Sequence, residues 1–253
     1  MNKKEYRRLY ELESSYWWYI GRREIIKSLL AKISLNKNSH ILEIGCGTGG
    51  NLEILSQFGE VTGLDNSPEA IEFCQKRGFR NCLLGDAENI NFPEQSFDLI
   101  AALDLLEHIN DEQKVLKEIH RALKDDGYFL IMVPAYQFLW SEHDEALHHK
   151  RRYALPGLRD KLLKANFDIV SASYFIFFTA LAFFIYRILR KIFSDGKKKE
   201  NQKKTDYLLL PNFLNNFLIS LLKLEAFLSK YITFPFGISI ACIAKNSIPI
   251  NDE

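Results

Sequence analysis

Hydrophobic residues fall into short continuous runs along the first half of the chain, and these runs alternate with segments that carry apolar residues at helical spacing. The runs of strand length are HILEIGCG, EVTGLDNS, FRNCLLGDA, SFDLIAALD and YFLIMVP. The helical segments are residues 51–58, PEAIEFCQKRG and DEQKVLKEIHRALKDDG. Continuous apolar strands that alternate with helices build a parallel sheet covered on both faces. The pattern therefore predicts an α/β fold.

The pattern changes after residue 166. Two further runs, FDIVSASYF and FGISIACIAK, predict strands at residues 167–175 and 236–245. Between them lie the apolar run FIFFTALAFFIY, a basic linker RILRKIFSDGKKKENQKK and a second apolar helix around residues 212–230. The first apolar run is too short to cross a bilayer, which takes about 20 residues. Basic residues flank both apolar segments, and an apolar stripe with basic flanks is typical of a helix that lies in the cytoplasmic leaflet of a membrane. The alternative is a helical lid packed on the sheet or on a second subunit.

These patterns divide the chain into four parts. We expect an N-terminal helical cap over residues 1–38, a core over 39–174, a hydrophobic helical insertion over 175–234, and the last core strand with a tail over 235–253. Within the cap, YWWYIGRREII concentrates aromatic side chains beside two arginines. We expect its tryptophans to exclude water from a binding site or, as the alternative, to pack against the core.

The overall composition narrows the class of protein. The 253 residues are 47% hydrophobic and 26% charged, as in an ordinary globular protein, and the formal net charge is +1. A net charge near zero argues against a strongly nucleic-acid-binding surface. The four cysteines are scattered without a CxxC pair, which predicts reduced thiols in a cytoplasmic protein.

The sequence ILEIGCGTGG places four glycines in ten residues, at the end of the first predicted strand. Ligands of open parallel sheets bind at the carboxyl ends of the strands, and glycine lets a ligand approach the bare backbone closely. The spacing of Gly45, Gly47 and Gly49 is GxGxG rather than the dinucleotide-binding GxGxxG. Glu43 stands two residues before the first glycine, and a carboxylate there favours a ligand with an ammonium group. The alternative is a tight turn without chemical consequence.

Two further acidic residues follow the next predicted strands. Asp65 ends the second strand, where acidic residues accept hydrogen bonds from ribose hydroxyls, although Asp-Asn-Ser is also an ordinary turn and helix cap. Asp86 follows the third strand, where it can meet the exocyclic amine of adenine. Acceptors at three successive strand ends indicate a nucleoside that carries a positively charged amino-acid tail.

The motifs ILEIGCGTGG, GLDNSPEAI, GDAENINFPEQSFDLIAALDLLEHI and EIHRALKDDGYFLIMVP together resemble the successive motifs of class I S-adenosylmethionine-dependent methyltransferases. The resemblance covers residues 39–134 and implies a Rossmann-like, mostly parallel sheet of seven strands with the last strand antiparallel. It also implies binding of S-adenosylmethionine (SAM) and transfer of its methyl group by in-line displacement. The cofactor-binding residues that it implies are Glu43, Gly45, Cys46, Gly47, Thr48 and Gly49 for the methionine moiety, Asp65 and Asn66 for the ribose, Asp86 and Ala87 for adenine, and Leu103 and Asp104 for the amino-acid end.

Three potential metal ligands lie in the segment DLLEHI. Asp104, Glu107 and His108 stand at i, i+3 and i+4, so that a helix would place them on one face, and His149 offers a fourth ligand. The segment is similar to the metal-binding ExxEH motif of some quinone O-methyltransferases and small-RNA 2′-O-methyltransferases, with aspartate in place of the first glutamate. This resemblance implies a divalent ion such as Mg²⁺ or Zn²⁺. The alternative is capping of a helix start beside a histidine on the cofactor side.

The segment WSEHDEALHHKRRY follows the fifth predicted strand, where an acceptor molecule would enter. His143 is the first candidate for a base that takes a proton from a hydroxyl, ahead of His108 and Asp144. The basic cluster at the end of the segment suits a phosphate or carboxylate, or it is a solvated charged loop. The candidate substrate-binding residues are Trp18, Arg22, Trp140, Arg151, Arg152 and Tyr153.

Together with the hydrophobic insertion, the resemblance predicts a methyltransferase that acts on a hydrophobic or lipid-linked small molecule, at an oxygen atom. We expect such a protein to be cytoplasmic and peripherally associated with a membrane, with an oligomer as an open option. Two alternatives remain. One is a methyltransferase that acts on RNA ends, which the near-neutral net charge disfavours. The other is a non-catalytic cofactor-binding or membrane-associated protein of the same fold.

Overall fold

A seven-stranded sheet forms the core of the computed structural model, which describes residues 3–181, 184 and 210–247. The strands are β1 (His40–Ile44), β2 (Glu60–Asp65), β3 (Cys82–Leu84), β4 (Phe97–Leu103), β5 (Leu123–Pro134), β6 (Phe167–Phe175) and β7 (Ser239–Asn246). They lie in the order β3-β2-β1-β4-β5-β7-β6. Neighbouring strands are parallel except for β7, which is antiparallel to both β5 and β6. The predicted Rossmann-like, mostly parallel α/β sheet is confirmed.

The helices alternate with most of the strands, and two of them precede β1. They are α1 (Lys3–Leu12), α2 (Trp17–Leu30), α3 (Leu52–Leu55), α4 (Pro68–Lys76), α5 (Glu112–Ala122), α6 (Glu142–Ala146), α7 (Leu155–Lys164) and α8 (Asn212–Leu228). Local signals explain where two of them begin. Proline occupies the first turn of α4, and the side chain of Asp111 caps α5 by accepting a 3.1 Å hydrogen bond from the N–H of Lys114. The helix α3 is shorter than the predicted residues 51–58.

Alternate residues of the central strands point to opposite faces of the sheet, and both faces are buried. On β4, Leu99 and Ala101 belong to one apolar cluster, whereas Ile100 and Ala102 belong to another. The first cluster includes side chains of α2 and α8, and the second includes side chains of α5 and α7. Burial on both faces explains why these strands appear in the sequence as continuous apolar runs.

The junction between α5 and β5 differs from the predicted helix that continues to Gly127. The helix ends at Ala122, and Leu123 already pairs with β4, so that β5 is 12 residues long. The side-chain amide of Asn246 on β7 donates to three carbonyls between residues 120 and 124, at 3.2–3.3 Å. Carbonyls at the end of a helix have no partner within it. A residue of the last strand therefore stabilises the end of α5.

Helix α8 of the hydrophobic insertion packs on α2. Gly21 makes room for it, since a Cβ there would lie 2.1 Å from Cδ1 of Leu222. Further along, the hydroxyl of Ser28 donates to the carbonyl of Ala226 at 2.6 Å. The helix predicted around residues 212–230 is confirmed, whereas the end of FIFFTALAFFIY and the basic linker lie outside the described residues. Among the helices that the structure describes, none combines the length and the hydropathy needed to span a bilayer.

Candidate functional site

A cavity of about 1080 Å³ opens at the edge of the sheet where the parallel strands end. Successive strand ends contribute to its wall, with Gly45 after β1, Asp65 on β2, Ala87 after β3, Leu103 on β4 and Pro134 on β5. Side chains from α1, α2, α6 and α8 complete the wall. This volume suffices for a nucleoside-sized cofactor together with a second molecule.

The glycine turn after β1 lines the cavity. Gly45 and Gly47 have φ angles of +71° and +54°, in the left-handed region that favours glycine. The N–H of Gly47 donates a 2.9 Å hydrogen bond to Oδ2 of Asp65, whose other oxygen accepts from a backbone N–H two residues further on. Cys46 and Asn66 also lie on the wall. This part of the cavity therefore combines bare backbone with a carboxylate.

Glu43 lies behind the glycine turn and not on the cavity wall. The residue is 1% exposed, and its Oε1 accepts a 2.9 Å hydrogen bond from Nδ2 of Asn51, which does line the cavity. Burial raises the pKa of the Glu43 carboxyl to about 8, so that it is protonated at neutral pH. The structure thus differs from the expected direct contact between an ionised Glu43 and an ammonium group. Glu43 reaches the cavity wall only through its hydrogen bond with Asn51.

The second half of the turn contacts α1 and α4. Thr48 is buried and donates its hydroxyl to the carboxylate of Glu13, which also accepts a 2.7 Å hydrogen bond from Nη2 of Arg77. Glu13 packs on Gly50, where a Cβ would lie 2.4 Å from Cδ of Glu13. Gly49 faces α4 and, like Thr48, is not on the wall, whereas Glu13 is. No spacing pattern in the sequence indicates Glu13 or Arg77, because their partners are distant along the chain.

The predicted residues of the adenine and amino-acid ends line the cavity, and one of them has an unexpected partner. These residues are Asp86, Ala87, Leu103 and Asp104. Asp104 has a φ angle of +60° and forms an ion pair with Arg22 of α2. The guanidinium of Arg22 also lies 5.7 Å from the ring centroid of Trp18. Arg22, predicted to bind substrate, therefore joins α2 to the end of β4.

Three of the four predicted metal ligands meet on the cavity wall. The ligand atoms of Glu107, His108 and His149 lie within 4.8 Å of one another. Glu107 is fully buried, and neither of its carboxylate oxygens has a hydrogen-bond partner in the described part of the chain. Burial, assisted by the charge of Asp104, raises the pKa of the Glu107 carboxyl well above its usual value. Burial and the neighbouring His149 lower the pKa of His108 to about 4, which keeps its imidazole neutral.

Asp104 is not part of this cluster, because DLLEHI does not form the expected helix. A single 3₁₀ turn covers Leu106–His108, and Asp104 precedes it in a left-handed conformation. The helical spacing of i, i+3 and i+4 therefore does not apply, and the carboxylate of Asp104 faces Arg22. The predicted set of four ligands is reduced to three.

The buried carboxylate of Asp144 organises the loop after β5. Its oxygens accept hydrogen bonds from Nδ1 of His149 at 3.0 Å and from Nε of Arg152 at 2.7 Å. It also caps α6 by accepting from the N–H of Ser141 at 2.9 Å. Burial opposes ionisation, but the hydrogen bonds from His149 and Arg152 outweigh it and hold the pKa of the Asp144 carboxyl well below its usual range. Asp144 is off the cavity wall and occupied by these donors, so the structure does not place it as a base.

The remaining predictions for the acceptor side divide into residues on and off the cavity wall. Those on the wall are Trp18, Arg22, His143 and Arg152. Arg151 and Tyr153 turn to Glu112 at the start of α5, where the Tyr153 hydroxyl donates to Oε1 at 2.7 Å and Arg151 pairs with the other oxygen. Trp140 is also off the wall. Arg151 and Tyr153 therefore bind Glu112 and do not line the cavity as contacts for an acceptor.

Another part of the wall is apolar. Its residues come from α2, from the segment after β6 and from α8, and they include Trp17, Phe178, Leu214, Phe217, Leu218 and Leu221. The hydrophobic insertion thus contributes directly to the cavity. A single cavity combines a polar, glycine-lined part with an apolar part.

Comparison with known proteins agrees with this geometry. Residues 42–131 match the family model of a methyltransferase domain. Sterol 4-C-methyltransferase of Caenorhabditis elegans is 34% identical over 143 residues, which are 50% of this chain and 42% of the relative. Sterol 24-C-methyltransferase of Neurospora crassa is 29% identical over 158 residues, which are 58% of this chain and 40% of the relative. The chain therefore spans less than half the length of these two curated relatives.

Solved structures share the fold. A protein described as a methyltransferase, in its complex with the Trm112 methyltransferase activator of Haloferax volcanii, superposes with a TM-score of 0.62 at 18% identity. The superposition covers 97% of this chain and 95% of that chain. The strand order is that of a Rossmann-like sheet, and the glycine turn and the acids lie at the strand ends where such sheets bind ligands. Over residues 42–131, the chain is similar to the methyltransferase domain that the family model describes.

Proposed function

We propose that the protein transfers a methyl group from SAM to an oxygen atom of a hydrophobic or lipid-linked small molecule, which it meets at a membrane surface. The observation that carries this proposal is the single cavity that joins the glycine turn and Asp65 to an apolar wall from α2 and α8. The names of the two curated relatives support the same acceptor class, since both are sterol methyltransferases.

The polar part of the cavity fits SAM. The backbone of Gly47 is open to a ligand: of the described atoms, only Cδ2 of Leu9 would come within 4 Å of a Cβ there, at 3.9 Å. Asp65 and Asp86 offer carboxylate oxygens to hydroxyl and amino groups. SAM would supply an electrophilic methyl group on a positively charged sulfur. The residues that line the cavity would orient donor and acceptor and exclude water.

His143 is the candidate base within this proposal. It lies on α6 and on the cavity wall. The imidazole of a histidine can take a proton from an acceptor hydroxyl. Trp18 and Arg152 on the same wall are the candidate contacts for the acceptor.

The proposal is tested by methyl transfer from radiolabelled SAM to a detergent-dispersed lipid extract, with a water-soluble metabolite extract as comparison. We expect label in the lipid fraction. A Leu218→Asp variant, changed in the apolar wall, should lose transfer but keep SAM binding by calorimetry, and Leu163→Asp on the exposed side of α7 serves as control. Label only in water-soluble products would overturn the acceptor class. A wild-type protein that fails to bind SAM would overturn the proposed activity.

We also propose that Glu107, His108 and His149 hold a divalent cation beside the acceptor. The buried carboxyl of Glu107 supports this, because neither of its oxygens has a hydrogen-bond partner among the described residues and a bound cation would supply one. One oxygen and two imidazole ligands suit Zn²⁺ better than Mg²⁺, which prefers oxygen ligands. Asp144 would orient the His149 ring through its 3.0 Å hydrogen bond.

Metal analysis of the purified protein after exposure to Zn²⁺ and dialysis tests this cation site. We expect about one zinc per chain in the wild type and in His40→Gln, which changes an exposed histidine on β1. Glu107→Gln and His149→Gln should each retain much less zinc. Equal zinc content in wild-type and Glu107→Gln protein would overturn the cation site and leave the proposed methyl transfer untouched.

A further inference from the structure

An apolar stripe runs along the outer side of α8. Its members recur at i, i+4, i+11, i+14 and i+18, which places them on one side of the helix and of the turn that follows it. Each is at least 48% exposed, and together we call them the α8 stripe: Phe213, Phe217, Leu224, Phe227 and Tyr231. Single exposed apolar residues are normal on protein surfaces, but five large apolar side chains exposed on one side of a helix mark an interaction site.

The opposite side of α8 is engaged within the protein. Leu222 packs against Gly21, and the hydroxyls of Ser28 and Ser229 lie 3.0 Å apart. Glu225 is buried, and its carboxylate accepts hydrogen bonds from the backbone N–H groups of residues 176–178. Rotation of α8 would break these contacts. The helix is therefore held with the α8 stripe turned outward.

The charges beside the α8 stripe are positive. Lys223 and Lys230 are exposed, and Nζ of Lys230 lies 5.9 Å from the ring centroid of Phe227. Within Asn212–Leu228 the sequence holds one acidic residue, Glu225, which is buried. Exposed aromatic and aliphatic side chains bordered by lysine are typical of helices at the boundary between headgroups and acyl chains of an anionic bilayer.

The α8 stripe meets the cavity at Phe217. This residue is 60% exposed and also lines the cavity, together with Leu214, Leu218 and Leu221 of the same helix. Phe178, after β6, is likewise exposed and on the wall. The outer surface of α8 is therefore continuous with the apolar part of the cavity.

From these observations we infer that the α8 stripe docks the protein on an anionic lipid bilayer, with Phe217 at the point where a lipid-linked acceptor enters the cavity. The entry of the acceptor rests on the proposed function, whereas the docking rests on the α8 surface alone. The aromatic side chains enter the acyl boundary, and Lys223 and Lys230 meet anionic headgroups.

A second copy of the chain fits the α8 stripe less well than a bilayer does. The stripe runs from Phe213 to Tyr231, so its centre lies near Leu222. A two-fold pairing of α8 helices about that centre would bring Lys223 of both copies together. Like charges in contact disfavour such an interface.

Vesicle flotation of the full chain tests the docking. Vesicles of phosphatidylcholine with phosphatidylglycerol are compared with vesicles of phosphatidylcholine alone. We expect the wild type to float with the anionic vesicles, and the variant Phe213→Ser/Phe227→Ser/Tyr231→Ser to bind them at least about tenfold more weakly, since affinity scales with buried apolar area. None of these three residues lines the cavity. The control is Leu84→Ser/Leu163→Ser/Val170→Ser, which changes comparably exposed residues elsewhere and should float as the wild type does.

Charge reversal tests the choice of an anionic surface. Each lysine near such a surface contributes about fivefold in affinity, so Lys223→Glu/Lys230→Glu should weaken binding to the anionic vesicles by at least about 20-fold. Salt at about 0.5 M should narrow this difference because it screens the headgroups. Equal binding of this variant and the wild type at low salt would overturn the electrostatic part of the proposal.

Further outcomes would overturn the docking itself. One is equal flotation of the wild type and the triple serine variant. Another is a wild-type dimer in light scattering that the triple variant converts to monomers, since the α8 stripe would then be a contact between copies. A protein that methylates a detergent-dispersed acceptor but does not float would refute docking and leave the proposed function standing. A protein that floats but does not bind SAM would refute the proposed function and leave the docking standing.

Discussion

The backbone N–H of Gly47 donates a 2.9 Å hydrogen bond to Oδ2 of Asp65, which ties the glycine turn after β1 to the end of β2. Asp65 also lies on the cavity wall. One carboxylate thus shapes the turn and presents acceptor oxygens to a ligand. Cofactor binding should therefore be sensitive to this residue.

We expect Asp65→Ala to raise the dissociation constant for SAM by about 10- to 100-fold, because hydrogen bonds to a charged group contribute about 1.5–3 kcal/mol. Isothermal titration calorimetry measures the constant. Asp160→Ala is the control, since that carboxylate is exposed and pairs with Lys164 at 2.8 Å on α7. An unchanged constant in Asp65→Ala would contradict the role of this residue at the cofactor.

The carboxylate of Glu13 fastens α1 to the glycine turn through Thr48 and Arg77. Glu13→Gln keeps the size of the side chain and removes the charge that faces Arg77. We expect the free energy of unfolding to fall by about 1–3 kcal/mol in urea denaturation, because a largely buried charge then lacks its partner. Glu11→Gln, in an exposed pair with Arg7, should change it little. Equal losses in both variants would show that burial of the Glu13 pair is not the cause.

Burial raises the pKa of Glu43 from 4.5 to about 8, so the folded protein binds this proton more tightly than the unfolded chain. The resulting stability is present below about pH 4.5 and is lost as pH rises to about 8, at up to about 1.4 kcal/mol per pH unit. Glu43→Gln has no proton to lose. We expect the free energy of unfolding of the variant, relative to the wild type, to increase between pH 5 and pH 8 in urea titrations. A difference that stays constant with pH would contradict a raised pKa at Glu43.

Gly21 and Leu222 set the distance between α2 and α8. A Cβ on Gly21 would lie 2.1 Å from Cδ1 of Leu222, so Gly21→Ala should reduce the free energy of unfolding by about 1–3 kcal/mol, although alanine favours helices. In a double-mutant cycle, Gly21→Ala should cost less free energy of unfolding in the Leu222→Ala background than in the wild type, because the smaller side chain leaves space for the Cβ. Gly157→Ala on α7 is the matched control, since a Cβ there has no described atom within 4 Å. Additive losses in the cycle would mean that the two residues do not compete for space.

The order and type of the core elements follow from local patterns in the sequence. β1 and β4 are buried on both faces and therefore appear as continuous apolar runs, and the glycines after β1 mark the turn at the cavity. The acids at the strand ends could be predicted from the sequence for the same reason, since Asp65 ends one strand and Asp86 follows the next. The end of α5 could not be predicted in this way, because Asn246 on the last strand donates a hydrogen bond there.

The sequence by itself determined the α/β alternation, the position of the glycine turn and the acids beside it, because each depends on neighbours along the chain. Only the tertiary structure decided which distant residues pair, such as Arg22 with Asp104 and Glu13 with Thr48. It also decided that Glu43 stays behind the turn and that Asp144 is taken up by Arg152. A hydrogen bond or a shifted pKa depends on which distant side chains the crossovers bring within a few ångströms, and residue spacing does not encode that distance.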